Sequence, residues 1–248
     1  MKKVILTLFV TLLAAGVFGA DLPKQGFGIQ FGWAQPIMRL NSMEVLMPKD
    51  SLVNVTHLNG FKVGVVYDAS IVKGFGTSVG INYTFGASST KWRSTTAMYE
   101  YPRMRTSTFY NEIEVFADWQ YKFEVAKETY LILYTGPTIQ CGLSYAVRTV
   151  AQTQMLDGSI VTATNRKNRY EKVDETDLDA NNQLKRVNVT WGVGAGFQYK
   201  RYFLRGGYDF GLINPYAHQK FIFSDDRYTR GRLDQWNIRL GMYLWYAD

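Results

Sequence analysis

Cysteine, proline and histidine are scarce in this 248-residue chain, which contains 1 Cys, 6 Pro and only 2 His. A single cysteine, Cys141, excludes an internal disulfide and any zinc site built from several thiolates. Continuous apolar stretches are also rare: the one such run lies at the N-terminus. It is too short to cross a bilayer as a helix. An aromatic content of 15% excludes a disordered chain, and the composition fits neither a collagen nor a coiled coil.

The N-terminal apolar run has the layout of a secretory signal. Two lysines precede the apolar segment 4–15, and small residues follow it up to Ala20. We therefore predict that residues 1–20 are a signal peptide, cleaved after Gly19 or after Ala20, and that residues 21–248 form one exported domain. A buried N-terminal helix is the alternative, which the charged flank and the terminal position disfavour.

The rest of the chain shows repeated period-two alternation between apolar residues and small or polar residues. This pattern is typical of β-strands with two different faces. The runs exceed the usual strand length of about five or six residues. Eight of them can be traced, at 27–33, 61–68, 75–85, 109–122, 131–147, 186–200, 202–212 and 235–246.

The connections between these runs alternate in length, which predicts an up-and-down barrel with short periplasmic turns and long extracellular loops. Short connections lie at 69–74, 124–128 and 200–202, and long ones at 40–57, 87–107, 148–185 and 213–233. Asp157-Gly158 in the third long connection is a hairpin signal, so we expect the fifth strand to continue past the membrane and turn back there. A ten-stranded barrel is the alternative.

Alternation alone does not decide which face points inward, since a soluble barrel such as a lipocalin also alternates. Aromatic residues near strand ends, among them Trp119 and Tyr199, are typical of membrane interfaces. The opposite face is built from small polar residues and charges, which suit the narrow interior of eight strands. Together with the export signal, these features predict an all-β, eight-stranded antiparallel transmembrane barrel with Cys141 facing lipid.

Charged residues of both signs share the predicted inward face. Isolated buried charges are costly, so we expect a paired, structural network that fills the interior, with a narrow ion path as the alternative. The predicted members are Lys62, Asp68, Glu112, Glu114, Asp118, Lys122, Arg186, Lys200, Arg205, Asp209 and Arg239.

Basic residues are concentrated in the long connections, where phosphates of lipopolysaccharide are natural counter-ions and solvated loop tips are the alternative. The predicted contacts to an anionic partner are Lys91, Arg93, Arg103, Arg105, Arg227, Arg230 and Arg232, and the third loop adds Arg166, Lys167, Arg169 and Lys172. Because these residues are scattered over loops of an exported protein, we expect no nucleic acid partner. No metal cluster, phosphate loop or dinucleotide fingerprint appears, so we expect no cofactor.

Two histidines limit the catalytic options. A lipid-modifying enzyme would need a histidine base beside a nucleophile, with His57 and His218 as the candidates. Neither has the His-x-Ser spacing of the lipid A deacylases, so we expect a protein that is not an enzyme. We predict a monomeric outer-membrane protein whose surface loops bind a protein partner or lipopolysaccharide, with the enzyme and the narrow channel as alternatives.

The stretch Tyr208-Asp209-Phe210-Gly211-Leu212-Ile213-Asn214 is similar to the Tyr-x-x-Gly-Leu-x-Asn motif of PorT-like proteins. From residue 25 to residue 248 the chain resembles small bacterial outer-membrane barrels. It looks most like the Bacteroidota-type barrels grouped with PorT, and more distantly like OmpX and the OmpA membrane domain. The resemblance implies an eight-stranded barrel with no known chemistry. The last strand departs from the common pattern, because Ala247 and Asp248 follow Tyr246 where an aromatic residue usually ends the chain.

Overall fold

The computed structural model of the chain describes residues 25–41, 53–94, 103–155, 157–173, 183–217 and 231–247, so the predicted signal peptide at 1–20 lies outside the described residues. None of the described residues belongs to a helix long and apolar enough to span a membrane. They form eleven strands: β1 (Gln25–Asn41), β2 (Val53–His57), β3 (Asn59–Val72), β4 (Phe75–Ser89), β5 (Arg93–Ser94), β6 (Arg103–Ala126), β7 (Thr129–Gln154), β8 (Ile160–Asn168), β9 (Val187–Tyr199), β10 (Tyr202–Gly211) and β11 (Gly231–Ala247).

Eight of these strands close into a ring of antiparallel neighbours. The order around the ring is β6-β4-β3-β1-β11-β10-β9-β7, and β7 pairs with β6 to complete it. The first and last strands pair along their length, from Gln25 opposite Ala247 to Leu40 opposite Gly231. Closure gives every ring strand two hydrogen-bonded neighbours and leaves no open edge. The predicted eight-stranded up-and-down barrel is confirmed.

Three short strands extend the ring strands at one end of the barrel. β2 pairs with β1, β5 pairs with β6, and β8 pairs with β7. Strand β7 continues beyond the ring and turns at Gly158, whose φ of 81° suits glycine, before β8 returns along it. This is the predicted hairpin, and because β8 lies outside the ring, the ten-stranded alternative is wrong. We call the sheet formed by 93–94, 103–109, 146–154 and 160–168 the outer sheet.

The opposite end of the barrel carries two-residue turns. They lie at Lys73-Gly74, Lys127-Glu128 and Lys200-Arg201, between strands that run right up to them. Gly74, Glu128 and Lys200 have φ values of 72°, 56° and 53°, the left-handed conformation that tight hairpin turns require. The connections predicted from the sequence, at 69–74, 124–128 and 200–202, are longer than these turns. The apolar alternation fades near the strand ends, although the backbone pairing continues up to the turn.

The outer surface of the ring is apolar and the interior is polar. Outward side chains such as Phe31, Ile81 and Val115 are 51–61% exposed. On β6 the apolar face runs from Phe109 to Trp119, about 34 Å along the strand and about 25 Å along a tilted barrel axis. This height matches the apolar band of a membrane-spanning barrel. Cys141 is exposed on this surface, as predicted.

Two bulges reverse the alternation near strand ends and correct the predicted orientation of two tyrosines. Opposite Asn111 and Glu112, β7 has one extra residue, and Tyr145 beyond it is buried. In β11 the register shifts near Leu244, so Tyr246 packs with the buried core instead of sharing the outward face. A period-two pattern loses its phase at a bulge, because the extra residue turns all later side chains to the opposite face.

Candidate functional site

The interior near the short turns is built around a shared carboxylate. Asp68 on β3 accepts hydrogen bonds from Arg205 at 2.8 Å, from Lys122 at 3.0 Å, and from the hydroxyl of Tyr243. Arg205 also donates to Ser78 at 2.8 Å and to Gln120 at 3.0 Å. β3 and β10 are separated by β1 and β11 in the ring, so the Asp68–Arg205 bond crosses part of the lumen.

A second carboxylate cluster lies nearer the long connections. Lys62 bonds Glu114 at 2.6 Å, and the two side chains are 2% and 1% exposed. Tyr110 donates to Glu112 at 2.5 Å. Gln235 on the opposite strand β11 donates to Glu112 at 3.0 Å and to Glu114 at 2.8 Å, so this cluster also spans the lumen.

Arg239 and Asp209 occupy the level between the two clusters. Asn237 donates to Asp209 at 3.0 Å, and Arg239 donates to the hydroxyl of Tyr134 at 3.3 Å. The Tyr134 ring lies directly over Gly194, where an added Cβ would collide with it, so glycine makes room for the aromatic ring. Asp118 is also buried. At each level, strand side chains occupy the barrel interior.

Two of the residues predicted to face the interior do not. Arg186 is exposed, donates to the carbonyl oxygens of Gly142 at 3.3 Å and Leu143 at 3.1 Å, and lies over the Tyr170 ring. It precedes the first residue of β9, so the strand alternation does not set its direction. Lys200 is exposed in a two-residue turn, where its nearest carboxylate is Glu128 at 4.0 Å.

A layer of tyrosines fills the outer end of the interior. Tyr110 and Tyr145 meet edge to face at 5.9 Å, and Tyr170 from the third connection meets Tyr145 at 6.4 Å. Tyr216 bridges to Leu184 in the same cluster, and burial raises the pKa of Tyr216 to about 12. The cluster also takes side chains from β1 and β11, across the ring from β6 and β7: Met38 and Leu233.

The sequence did not reveal this tyrosine layer. Tyr170 and Tyr216 lie in long connections without periodicity, where local pattern does not predict burial. The available signal was the presence of bulky aromatics in segments expected to be solvated.

A buried carboxylate at the outer rim neutralises one of the predicted loop cations. Asp234 contacts Arg232 at 2.8 Å and Arg39 at 3.0 Å. It also accepts from the Tyr208 hydroxyl at 2.8 Å and the Gly211 amide at 2.9 Å. Arg232 therefore has a structural partner, and the cluster ties β1, β10 and β11 together.

The other predicted loop cations are only partly brought together. Lys91, Arg103 and Arg105 are exposed at the outer sheet. Arg93 lies in β5, and its side chain is outside the described residues, as are Arg227 and Arg230. Strand pairing adds Arg148, which lies directly opposite Arg166. The register of the β7–β8 hairpin, in which Gln154 pairs with Ile160, places the two arginines side by side.

The structure assembles no catalytic group around the histidines within the described residues. His57 is exposed at the end of β2, without a hydrogen bond to an acid or a nucleophile there. His218 lies outside the described residues. No group of three or more metal-ligating side chains occurs among the residues that were placed.

No protein-family model matches the chain, and no curated protein matches it. Among solved structures, the chain is similar to Ail, the attachment invasion locus protein of Yersinia pestis, whose structure was solved in complex with the heparin analogue sucrose octasulfate. The two chains are 12% identical, the match covers 89% of this chain and 99% of that chain, and the TM-score is 0.35. It is also similar to Neisserial surface protein A, with 12% identity, coverage of 88% and 96%, and a TM-score of 0.38. The toluene transporter TodX of P. putida shows 8% identity, coverage of 94% and 92%, and a TM-score of 0.28.

Proposed function

We propose that the chain is a monomeric integral outer-membrane protein whose closed barrel anchors a surface that binds a partner, without a catalytic role. The observation that carries the proposal is the apolar belt, about 25 Å high, around an interior filled with charge. In water such a belt would expose far more contiguous apolar surface than a soluble monomer tolerates. In lipid the same surface is satisfied, and ring closure satisfies the backbone.

The filled interior favours an anchoring role over conduction. Hydrogen bonds cross the lumen at two levels, through Asp68–Arg205 and Gln235–Glu114, and the tyrosine layer fills the outer end. Eight strands leave an interior just wide enough for side chains. What remains available to a partner is the outer sheet and the long connections.

The remaining elements of the proposal come from the sequence. Residues 1–20 would act as the export signal, and the motif at 208–214 supports a PorT-like relationship within the Bacteroidota-type barrels. Lipopolysaccharide or a protein would be the partner of the basic outer surface.

A charge on the belt tests membrane insertion directly. Ile81 is 52% exposed and pairs with Val65 and Val115 in the middle of the belt. Ile81→Arg should destabilise the folded protein in lipid vesicles by about 2–4 kcal/mol, the cost of a cation on the lipid face at mid-bilayer. Unfolding is followed by tryptophan fluorescence in urea and by heat-modifiable migration on gels.

Thr106→Arg serves as the control, because Thr106 lies on the outer sheet beyond the belt and is partly exposed.

The filled interior predicts a second result, because planar bilayers containing the wild-type protein should remain electrically silent. A chain that stays a compact monomer without detergent, with Ile81→Arg unchanged or more soluble, would overturn the proposal.

A further inference from the structure

The outward face of the outer sheet and the adjoining end of β4 carry a row of side chains across four strands. Ser89 pairs with Ser107, Ser107 with Arg148, and Arg148 with Arg166. Directly opposed residues hold their Cβ atoms about 5 Å apart, and like charges at opposed positions destabilise a pair of strands. The pair of arginines therefore needs a counter-charge, or it destabilises the hairpin that carries it.

Arg105 lies next to this row, two residues before Ser107 on the same face of β6. Its Nε donates to the Ser89 hydroxyl at 2.8 Å, and the hydroxyls of Ser89 and Ser107 are 2.9 Å apart. A groove of about 440 Å³ opens beside this row and is lined by Phe109, Arg148, Thr164 and Arg166. Two cations, the hydroxyl of Thr164 and an aromatic ring thus line one concave surface.

This arginine pair differs from the other arginines at the rim. Arg39 and Arg232 share the buried carboxylate of Asp234. Among the residues that the structure describes, no acidic side chain forms an ion pair with Arg148 or Arg166. Their counter-charge is therefore expected to come from outside this part of the chain.

The height of the groove identifies the kind of anion. Phe109 is the uppermost apolar residue of the belt on β6, and Ser107 lies two residues, about 7 Å of strand, beyond it. In a membrane this is the level of the outer-leaflet headgroups. Guanidinium groups bind phosphate oxygens through paired hydrogen bonds, a geometry that a single ammonium does not offer.

We propose that Arg148 and Arg166, supported by Arg105, bind a phosphoryl oxyanion of an outer-leaflet lipid headgroup, with the acyl chains lying along the apolar belt below Phe109. The inference rests on the proposed membrane location and deepens it, because it names the class of lipid and the residues that hold it. A free phosphate ion offers the same oxyanion, so the experiment separates the two sources.

The test uses the full-length folded protein in a non-ionic detergent. It is titrated calorimetrically with lipid A carrying its two phosphates, with the same lipid after enzymatic dephosphorylation, and with inorganic phosphate. Phosphorylated lipid A should bind the wild type at least about tenfold more tightly than either other probe, since each charge-assisted hydrogen bond contributes roughly tenfold.

The Arg148→Gln/Arg166→Gln variant should lose about tenfold or more in affinity for lipid A and lose the preference for phosphate. The matched control, Lys127→Gln/Arg201→Gln, removes the same charge from exposed positions in the two-residue turns at the opposite end of the barrel and should change the affinity less than about threefold. Heat-modifiable migration shows that each variant is folded. If the double variant does not fold, Arg166→Gln alone, on β8 outside the ring, should give a loss of several-fold.

Equal affinity of the wild type and a folded groove variant for lipid A would overturn the proposal. Tight binding of the dephosphorylated lipid would do the same. Inorganic phosphate binding as tightly as lipid A would overturn the assignment to lipid. Each of these results is obtained with a folded, detergent-dependent barrel, and is therefore distinct from failure of the proposed membrane location.

Discussion

Replacing Asp68 by asparagine removes a carboxylate on which two buried cations converge. Lys122 and Arg205 approach the same Asp68 oxygen at 3.0 Å and 2.8 Å, and the Arg205 side chain is fully buried. Asparagine has nearly the same size and shape, so the substitution changes charge and hydrogen bonding with little change in packing.

The expected loss of stability follows from the contacts that the two cations keep in the variant. Arg205 keeps its bonds to Ser78 and Gln120, and Lys122 keeps a bond to Gln198 at 3.0 Å, but neither keeps a counter-charge at that oxygen. Removing one partner of a buried ion pair costs about 3–5 kcal/mol, because the remaining charge is left uncompensated. We expect Asp68→Asn to lower the free energy of unfolding by that amount.

Urea titration in lipid vesicles, followed by tryptophan fluorescence, measures the change. Glu128→Gln is the matched control, since it removes a carboxylate from the exposed contact with Lys200 at 4.0 Å and should cost less than about 1 kcal/mol. The double variant Asp68→Asn/Lys122→Met should recover part of the loss, because it removes one of the stranded cations. If Asp68→Asn costs no more than Glu128→Gln, the interior network is not what stabilises the barrel.

Three further predictions concern the outer surface and the loops. Cys141 is exposed on the lipid-facing side, so a lipid-soluble maleimide should label the folded protein in vesicles; equal labelling by a water-soluble maleimide would contradict this orientation. Gly142→Ala would place a Cβ against the Tyr170 ring and should cost about 1–3 kcal/mol in urea unfolding, whereas Gly206→Ala, where a Cβ meets nothing closer than 3.8 Å, should be neutral. Hydrogen bonds from Ser159 lower the pKa of Asp157, so their contribution to stability is present above the ordinary carboxyl pKa of about 4 and is lost as pH falls through the lowered value. Protection of the Ser159 amide from exchange, relative to its intrinsic rate at each pH, should fall in that acid range in the wild type but not in Asp157→Asn.

The proposed interaction role and the closed interior depend on the same geometry. Side chains from opposite strands meet inside the ring, as Gln235 does with Glu112, and this cross-bracing makes the barrel a rigid support. Strands β6 and β7 continue from the ring into the outer sheet. A groove for lipid phosphate on this sheet would fix the height and rotation of the surface that a partner meets.

Sequence pattern was sufficient for the eight ring strands and for the two faces of each strand. Alternation from Phe75 to Phe85 separates one face from the other, because neighbouring residues point to opposite sides of a strand. Which face meets lipid was predicted with the further help of the aromatic residues near strand ends and the polar residues of the opposite face. The hairpin at Asp157-Gly158 was predictable for the same reason, since turn chemistry is local. Prediction was wrong for Arg186 and Tyr145, where a strand start and a bulge interrupt the alternation.

By itself, the sequence predicted a β-barrel with an apolar exterior, because alternation, turn residues and the placement of aromatic residues near strand ends are all visible along the chain. Only the tertiary structure decided which charges meet. Asp68 and Arg205 are 137 positions apart and become partners only when the ring closes. Arg148 and Arg166 became neighbours through strand register, and Tyr170 and Tyr216 entered the interior by folding of the connections. Such contacts depend on closure and register, which a local pattern does not encode.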